Sequence, residues 1–211
     1  MTSADVYLDT IDFLQYLKRP DCTQCGIESC EEFLNALRKG VKKPQDCIFL
    51  SNNEAYAFEV AFKAKDLWPD VPLLTHPRPS LIGLVEINNP NSASLLLISG
   101  NNDYTEQVLL TTLGTTTGAF HVLFVDTNGD TIDMAMIYQS FTAEKIFKAI
   151  KESGIEDRVT KRELIIPGFA SSLKQDIEKM TGWKVQVGPI CAAELPLFLS
   201  RIWTHPKETL W

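Results

Sequence analysis

Four of the five cysteines stand close together near the start of the chain. They follow the spacing C-x2-C-x4-C-x16-C and are Cys22, Cys25, Cys30 and Cys47. A structural zinc site usually uses two close C-x2-C pairs, whereas a cubane needs one thiolate on each of four irons. The three-plus-one spacing therefore favours a [4Fe–4S] cluster, with a zinc site and unconnected structural thiols as the alternatives. Gly26 would let the backbone turn closely around a bulky cluster, since it has no Cβ.

The overall charge limits the kinds of partner and compartment. The net charge is −7 and the isoelectric point is near 5.0, so no basic field exists to hold a nucleic acid. The one cationic cluster, residues 38–43, indicates either a helix end that complements the helix dipole or a docking patch for an acidic redox partner. No stretch approaches the roughly 20 apolar residues of a membrane span. Acidic residues occupy the N-terminus where a signal peptide would be positive, so we expect a cytoplasmic protein whose cysteines bind metal rather than form disulfides.

The segment that carries the cysteines is predicted to be helical. Apolar spacing predicts a short amphipathic helix over 4–17, a helix through Phe33 and Leu37 that ends at Gly40, and a third helix over 53–67. Pro69 would end the third helix. A proline-rich joint over 68–80 follows. We therefore expect a small helical domain over residues 1–70.

The second half alternates strand-length apolar runs with helical patterns. Helices are predicted over 142–153, 171–182 and 192–203, and Asn128-Gly129 predicts a hairpin between strands at 120–126 and 130–137. Alternating strands and helices indicate an open α/β sheet with parallel strands over 71–211. In such sheets the loops that follow the strand carboxyl ends form the ligand crevice.

Two ordered groups of residues resemble one known family. The pattern of the first group is D-C-x-x-C-G from Asp21, then Cys30, Phe33, Leu37, Gly40 and Cys47. It resembles the N-terminal iron–sulfur domain of the large (gamma) subunit of the corrinoid iron–sulfur protein, from the acetyl-CoA synthase/decarbonylase pathway. Runs such as EINNPNSASLLLISGNN and KRELIIPGF resemble the corrinoid-binding domain of the same subunit. Together the two matches cover roughly residues 5–48 and 72–203.

The resemblance implies a fold, two cofactors and a function. The fold would be a helical iron–sulfur domain followed by an open Rossmann-like α/β domain of the corrinoid-binding type. The cofactors would be a [4Fe–4S] cluster and a corrinoid (cobalamin), bound base-off and without a histidine ligand. The protein would be a methyl-transfer carrier of anaerobic C1 metabolism, and its cluster would reduce Co(II) to Co(I). It would work with a redox partner and with a separate methyltransferase or barrel-type subunit that caps the corrinoid.

Several positions depart from the pattern of the family. A barrel domain separates the two matched parts in the family, and only about 25 residues separate them here. Residues 99–105 replace a run like T-T-N-F-S-L-T, and residues 137–141 replace A-A-G-K-F. The alternative is therefore an iron–sulfur electron-transfer or accessory protein whose α/β domain no longer binds corrinoid.

Position along the strands indicates which residues would contact the corrinoid. The candidates follow three predicted strands and are Ser99, Gly100, Asn101, Thr105, Gly168, Phe169, Gly188 and Pro189. Glycines at strand ends let backbone N–H groups approach a ring edge or an amide side chain, although they could merely make strand-to-helix turns.

The remaining residues that could do chemistry are one cysteine and three histidines. Cys191 is predicted to open the last helix, where it could be a reactive thiolate or a cobalt ligand, or an inert packing residue. No D-x-H-x-x-G run supplies an axial histidine, and His76, His121 and His205 are expected to be surface or packing residues.

Overall fold

The α/β half contains a five-stranded sheet in the computed structural model, which describes residues 7–17, 22–69 and 77–206. The strand order is β1-β3-β2-β4-β5. The strands are β1 (Gly83–Ile87), β2 (Leu95–Gly100), β3 (Phe120–Val125), β4 (Glu163–Ile166) and β5 (Lys184–Val187). Strands β2 to β5 are parallel to one another, whereas β1 pairs antiparallel with β3 at one edge. The predicted α/β class is confirmed, with one antiparallel strand that the prediction did not contain.

Eight helices occur in the described part of the chain, three before the sheet and five within the α/β half. They are α1 (Cys30–Arg38), α2 (Asn52–Phe62), α3 (Ala64–Leu67), α4 (Asp103–Leu113), α5 (Ile132–Ile137), α6 (Ala143–Ser153), α7 (Lys174–Thr181) and α8 (Leu195–Phe198). None of the helices in the described ranges is both long and apolar enough to cross a membrane.

Capping residues fix where the first two long helices begin. The Ser29 hydroxyl accepts a hydrogen bond from the backbone N–H of Glu32 at 3.1 Å, and this starts α1. Ser51 and Glu54 form a reciprocal capping box at the start of α2. The buried face of α1 carries Phe33, Leu34 and Leu37, as the apolar spacing predicts.

The predicted helix over 4–17 is wrong within the described residues, which form two short 3₁₀ turns at Leu8–Thr10 and Phe13–Tyr16. Asp12 interrupts the helix because its carboxylate accepts a hydrogen bond from the backbone N–H of Leu14 at 3.0 Å. Asp side chains compete in this way with the helical backbone.

The predicted hairpin is also wrong, because residues 132–137 form α5 and not a strand. Asn128 and Gly129 do form a turn with positive φ angles of 59° and 83°. The chain that leaves this turn buries Ile132 and Ala135, three residues apart, as one helical face. The Asn-Gly signal therefore identifies the turn but not the element that follows it.

The two faces of the sheet bury two separate hydrophobic cores. One face packs Leu96, Ile98 and Leu123 against α5, α6 and α7. The other face packs Leu97, Val122 and Ile165 against α4, α8 and the helices of the cysteine segment. The described residues before β1 thus contribute to the core of the α/β half.

Hydrogen bonds from aromatic side chains reinforce this packing. The Tyr56 hydroxyl donates to the Thr115 carbonyl at 2.5 Å, and the Trp68 indole N–H donates to the Thr112 hydroxyl at 3.1 Å. Both bonds join the cysteine-bearing half to the end of α4. We infer that the described parts of the two halves form one cooperative unit.

Replacing Phe58 by alanine tests this shared core. Phe58 is 1% exposed on α2 and packs in the core that reaches the sheet. We expect Phe58→Ala to lower the free energy of unfolding by about 3–5 kcal/mol in a single urea transition, because the deletion leaves a cavity. Leu67→Ala, at a position that is 43% exposed, should change it by less than about 1 kcal/mol. Two separate unfolding transitions, of which only one is shifted by Phe58→Ala, would contradict the shared core.

Candidate cofactor sites

The four clustered cysteines lie on one loop, one helix start and one short turn. Cys22 and Cys25 are half-buried in the loop before α1. Cys30 is the first residue of α1, and Cys47 directly follows the 3₁₀ turn Pro44–Asp46. Both are buried, and none of the five cysteines, all of which are described, is in a disulfide. This pattern leaves two thiols near solvent and two within the core.

The backbone around Cys25 turns tightly. The Gly26 N–H donates to the Thr23 carbonyl at 3.0 Å, and Gly26 has a φ of +78°. This left-handed conformation favours glycine, as the sequence indicates. A Cβ on Gly26 would meet nothing within 4 Å, so open space borders the loop at this point.

A lysine ties the cysteine loop to the segment after α1. The Lys42 ammonium donates to the Cys25 carbonyl at 3.1 Å. A cluster with four thiolate ligands is anionic, and a nearby cation stabilises its reduced form. Lys42 is a residue that the cysteine spacing alone does not identify.

The thiols are not preassembled as a ligand set. Across the described ranges, no three Cys, His, Asp or Glu side chains form a group that could hold a metal ion. Cys25, Cys30 and Cys47 do contact one common hydrophobic core. A donor set of four cysteines in a partly buried position is the one that iron–sulfur clusters require.

The strand order places a switch point at the carboxyl edge of the sheet. Strand β3, which follows β2 in the chain, lies on one side of β2, and β4, which follows β3, lies on the other side. The direction in which successive strands are added to the sheet therefore reverses beside β2. Such a switch point is the usual ligand site of an open parallel sheet. The loop after β2 and the loop after β4 meet there, because Leu97 of β2 pairs with Ile165 of β4. The structure therefore brings the predicted residues of these two loops to one edge.

Only part of the predicted corrinoid set reaches the surface at this edge. Ser99, Gly100 and Asn101 are buried. A Cβ on Gly100 would lie 2.8 Å from the Thr127 side chain, so this glycine is required by packing within the chain. The half-exposed members are Thr105, Gly168, Phe169, Gly188 and Pro189. A cofactor on this edge would meet the second group, and the assignment of all eight residues stays a prediction.

Asn101 and Asn102 organise the loops that follow β2 and β3. The Asn101 side-chain oxygen accepts from the Thr127 N–H at 2.7 Å, the Thr127 hydroxyl at 3.0 Å and the Gly129 N–H at 3.3 Å. The Asn102 side chain caps α4 and donates to the Gly129 carbonyl at 2.8 Å. The side-chain oxygens of both residues accept hydrogen bonds from the chain itself, so both amides position these loops.

The chain also lays its N-terminal segment across the carboxyl edge. The Tyr7 hydroxyl donates to Asp133 on α5 at 3.0 Å, and its ring packs edge-on against Phe169 at 5.1 Å. The Tyr16 hydroxyl donates to Glu194 at 2.7 Å. Burial and the adjacent carboxylates raise the pKa of both tyrosines. Sequence reasoning missed these contacts, because the partners lie 126 and 178 residues apart in the chain.

Exposed apolar side chains follow β3 and β5 in the chain, beyond the carboxyl ends of these strands. Ile137 and Tyr138 end α5 and are 70% and 62% exposed. Ile190 is 49% exposed, and its side chain would lie 2.8 Å from a Cβ on Gly168. This apolar rim provides contact area for a flat ligand or for a partner protein.

Neither described histidine lies at this edge. His121 is buried in β3, and both of its ring nitrogens lack a hydrogen-bond partner. His205 packs against Tyr56, with 4.4 Å between the ring centroids. His76 lies outside the described residues. His121 and His205 are thus packing and surface residues, as expected from the sequence.

Cys191 is a buried thiol at a short element. It precedes the 3₁₀ turn Ala192–Glu194, and α8 is only four residues long, so the long helix predicted over 192–203 is wrong. Burial raises the pKa of the Cys191 thiol to about 11, despite a hydrogen bond from the Ala193 backbone. The packing interpretation of Cys191 fits this environment better than the reactive one.

A helical cysteine segment that shares a core with a mostly parallel α/β sheet defines the class of fold. A family model described as "CO dehydrogenase/acetyl-CoA synthase delta subunit" matches residues 67–199. The chain belongs to this family. A second model, described as "Putative Fe-S cluster", matches residues 19–49, which include all four clustered cysteines.

Similar proteins are named as subunits of the acetyl-CoA decarbonylase/synthase complex or of a corrinoid/iron-sulfur protein. An acetyl-CoA decarbonylase/synthase complex subunit gamma from Methanopyrus kandleri is 31% identical over 156 residues, which is 69% of this chain and 34% of that protein. The same subunit from Archaeoglobus fulgidus is 34% identical over 142 residues, 66% of this chain and 28% of that protein. The corrinoid/iron-sulfur protein large subunit of Moorella thermoacetica is 31% identical over 130 residues, 62% of this chain and 28% of that protein. The chain spans about a third of the length of these relatives, and the predicted resemblance is confirmed.

The Asn101→Ala variant tests whether Asn101 has a structural role. Removing its side chain leaves buried donors of Thr127 and Gly129 without a partner, so we expect a loss of about 2–3 kcal/mol in the free energy of unfolding. Asn91→Ala, which removes one exposed hydrogen bond to the Ala93 N–H, is the control and should lose less than about 1 kcal/mol. Unchanged stability together with lost cobalamin binding would contradict the structural role.

The raised pKa of Cys191 predicts slow alkylation. At pH 8 its thiolate fraction should be roughly a hundredfold smaller in the folded than in the unfolded protein, because the pKa rises from 9.0 to about 11. Mass spectrometry after iodoacetamide treatment should show Cys191 unmodified in buffer and modified in urea. The same rise in the pKa of Cys191 stabilises the folded protein below pH 9, and this contribution is lost as the pH rises through about 11. Rapid modification of the folded protein would contradict this environment.

Proposed function

We propose that the chain is a corrinoid iron–sulfur protein component that acts as a methyl carrier. Cys22, Cys25, Cys30 and Cys47 would hold a [4Fe–4S] cluster, and the carboxyl edge of the sheet would hold the corrinoid. The observation that carries the proposal is the shared core, which fixes a four-cysteine segment against a sheet whose switch-point loops reach the surface.

The cysteine segment fits a cluster in its donors and its burial. Four thiols are available, two of them buried and two half-buried. Gly26 permits the tight turn beside Cys25, and the Lys42 ammonium lies against the Cys25 carbonyl. When bound, a cluster supplies single electrons at low potential, which would reduce Co(II) to Co(I). The chain itself holds the ligands, limits water at Cys30 and Cys47, and places a cation beside the loop.

The carboxyl edge supports corrinoid binding through its five half-exposed predicted residues and its apolar rim. A corrinoid supplies a cobalt that accepts and releases a methyl group. Thr105, Gly168, Phe169, Gly188 and Pro189 would contact it. Ile137 and Tyr138 would meet a methyltransferase or barrel-type partner that caps the cofactor.

A second candidate function rests on a specific observation. The Tyr7 ring covers Phe169, and the buried amide of Asn101 is satisfied within the chain. An edge that is filled by its own chain favours an iron–sulfur electron-transfer or accessory protein that binds no corrinoid.

Metal analysis separates the two candidates. The protein is purified without oxygen, incubated with cobalamin and passed through a desalting column. The methyl-carrier proposal predicts about four irons, four sulfides and one cobalt for each chain. Four irons without cobalt would support the second candidate and contradict the first. Stoichiometric zinc without sulfide would contradict both.

Matched cysteine variants test whether the predicted cysteines bind the iron. Cys25→Ser removes a half-buried predicted ligand and should lose most of the iron. Cys191→Ala changes the one cysteine outside the cluster and should keep the iron content. Equal iron in both variants would contradict the assigned ligands.

A further inference from the structure

The segment that begins at the last residue of α1 is positively charged, whereas the whole chain has a negative net charge. Residues 38–48, which we call the basic loop, contain four basic side chains and one acidic side chain. The chain as a whole has a net charge of −7. The basic residues of the loop are Arg38, Lys39, Lys42 and Lys43. A field of local positive sign attracts negatively charged surfaces and repels positive ones.

The helix dipole explains only part of this charge. Arg38 and Lys39 stand at the carboxyl end of α1, where cations stabilise a helix. Lys43 lies beyond the positive-φ turn at Gly40, outside the last turn of the helix. Its exposed side chain therefore has no role in ending α1.

The basic loop also displays apolar side chains. Val41 is 73% exposed and Ile48 is 64% exposed, which places both among the most exposed large apolar residues in the described ranges. Burial of such side chains against a partner is favourable, at about 25 cal/mol for each Å² of apolar surface. Apolar contacts beside charges of one sign suit a partner of the opposite sign.

The loop is in direct contact with the predicted cluster ligands. Lys42 donates to the Cys25 carbonyl at 3.1 Å, and Cys47 itself lies within the loop, next to exposed Ile48. Two of the four predicted ligands therefore border this surface. A partner on the basic loop would sit close to the cluster, and close approach is what electron transfer between proteins requires.

We propose that the basic loop is the docking surface for an acidic, low-potential iron–sulfur electron carrier. The proposal rests on the proposed function, because it needs a cluster on the cysteines. In each encounter the reduced carrier loses one electron and the cluster gains it. No covalent bond forms or breaks, and no proton is transferred.

Charge reversal tests the surface. The Lys39→Glu/Lys43→Glu variant leaves Lys42 and its bond to Cys25 intact. The control, Lys161→Glu/Lys179→Glu, makes the same change in net charge at two exposed lysines of the α/β half. A reduced acidic two-cluster ferredoxin serves as the probe, and stopped-flow bleaching of the visible cluster absorption gives the second-order rate constant.

At low ionic strength the basic-loop variant should react at least about tenfold more slowly than the unmodified protein, and its rate should depend less on salt. The control variant should react nearly as fast as the unmodified protein. Equal slowing in both variants would overturn the proposal, because net charge alone would then explain it. An unchanged rate in the basic-loop variant would also overturn it.

A serine variant and a photochemical reduction complete the test. Val41→Ser/Ile48→Ser should slow the reaction while keeping its salt dependence, since only the apolar contact is lost. Photoreduction with deazaflavin needs no docking surface and should bleach the cluster in every variant. Normal bleaching by light, together with a ferredoxin reaction rate that does not depend on the loop, would reject the docking surface alone. A protein that shows no cluster absorption to bleach would instead reject the proposed function.

Discussion

The hydrophobic core between α2, α8 and one face of the sheet is the constraint on which the rest of the structure depends. Phe58 and Phe13 of the cysteine-bearing half pack in the same core as Leu97, Val122 and Ile165 of the sheet. Phe13 also stacks on Phe62, with ring centroids 4.4 Å apart. This packing removes a large aromatic area from water and fixes the cysteine loop relative to the strands.

The carboxyl edge of the sheet shows how one chain can keep a scaffold while changing its loops. Glycine at position 100 is required because Thr127 and Ile132 occupy the space of a side chain. Asn101 and Asn102 use their amides to hold the turn at Gly129. Thr105 at the start of α4 and Pro189 after β5 are half-exposed. The buried layer thus fixes the loops, and the half-exposed residues lie outside it.

The amino-acid sequence predicts the elements whose signals are local. Continuous apolar runs identify β2 and β3, since parallel strands are buried on both faces. The helix predicted over 142–153 is α6, and Thr142 caps its start. Spacing identifies the cysteine segment, and the position of strand ends identifies the crevice loops.

The features that the sequence does not predict depend on contacts between distant residues. Helix α5 was missed because a strong Asn-Gly turn is compatible with either a strand or a helix after it. The pairing of β1 with β3 depends on a connection that no local pattern specifies. The contact of Tyr7 with Asp133 joins residues 126 positions apart. The burial of Cys191 arises from the core around it and not from its own neighbours in the chain.

One measurement tests the central proposal that a cluster on the cysteines passes electrons to a corrinoid at the carboxyl edge of the sheet. The cobalamin-loaded protein is photoreduced in steps without oxygen and followed by electron paramagnetic resonance. The account predicts a base-off Co(II) signal that disappears as electrons enter through the cluster, and that persists in Cys25→Ser. A Co(II) signal that never forms, or that disappears equally fast in Cys25→Ser, would contradict it.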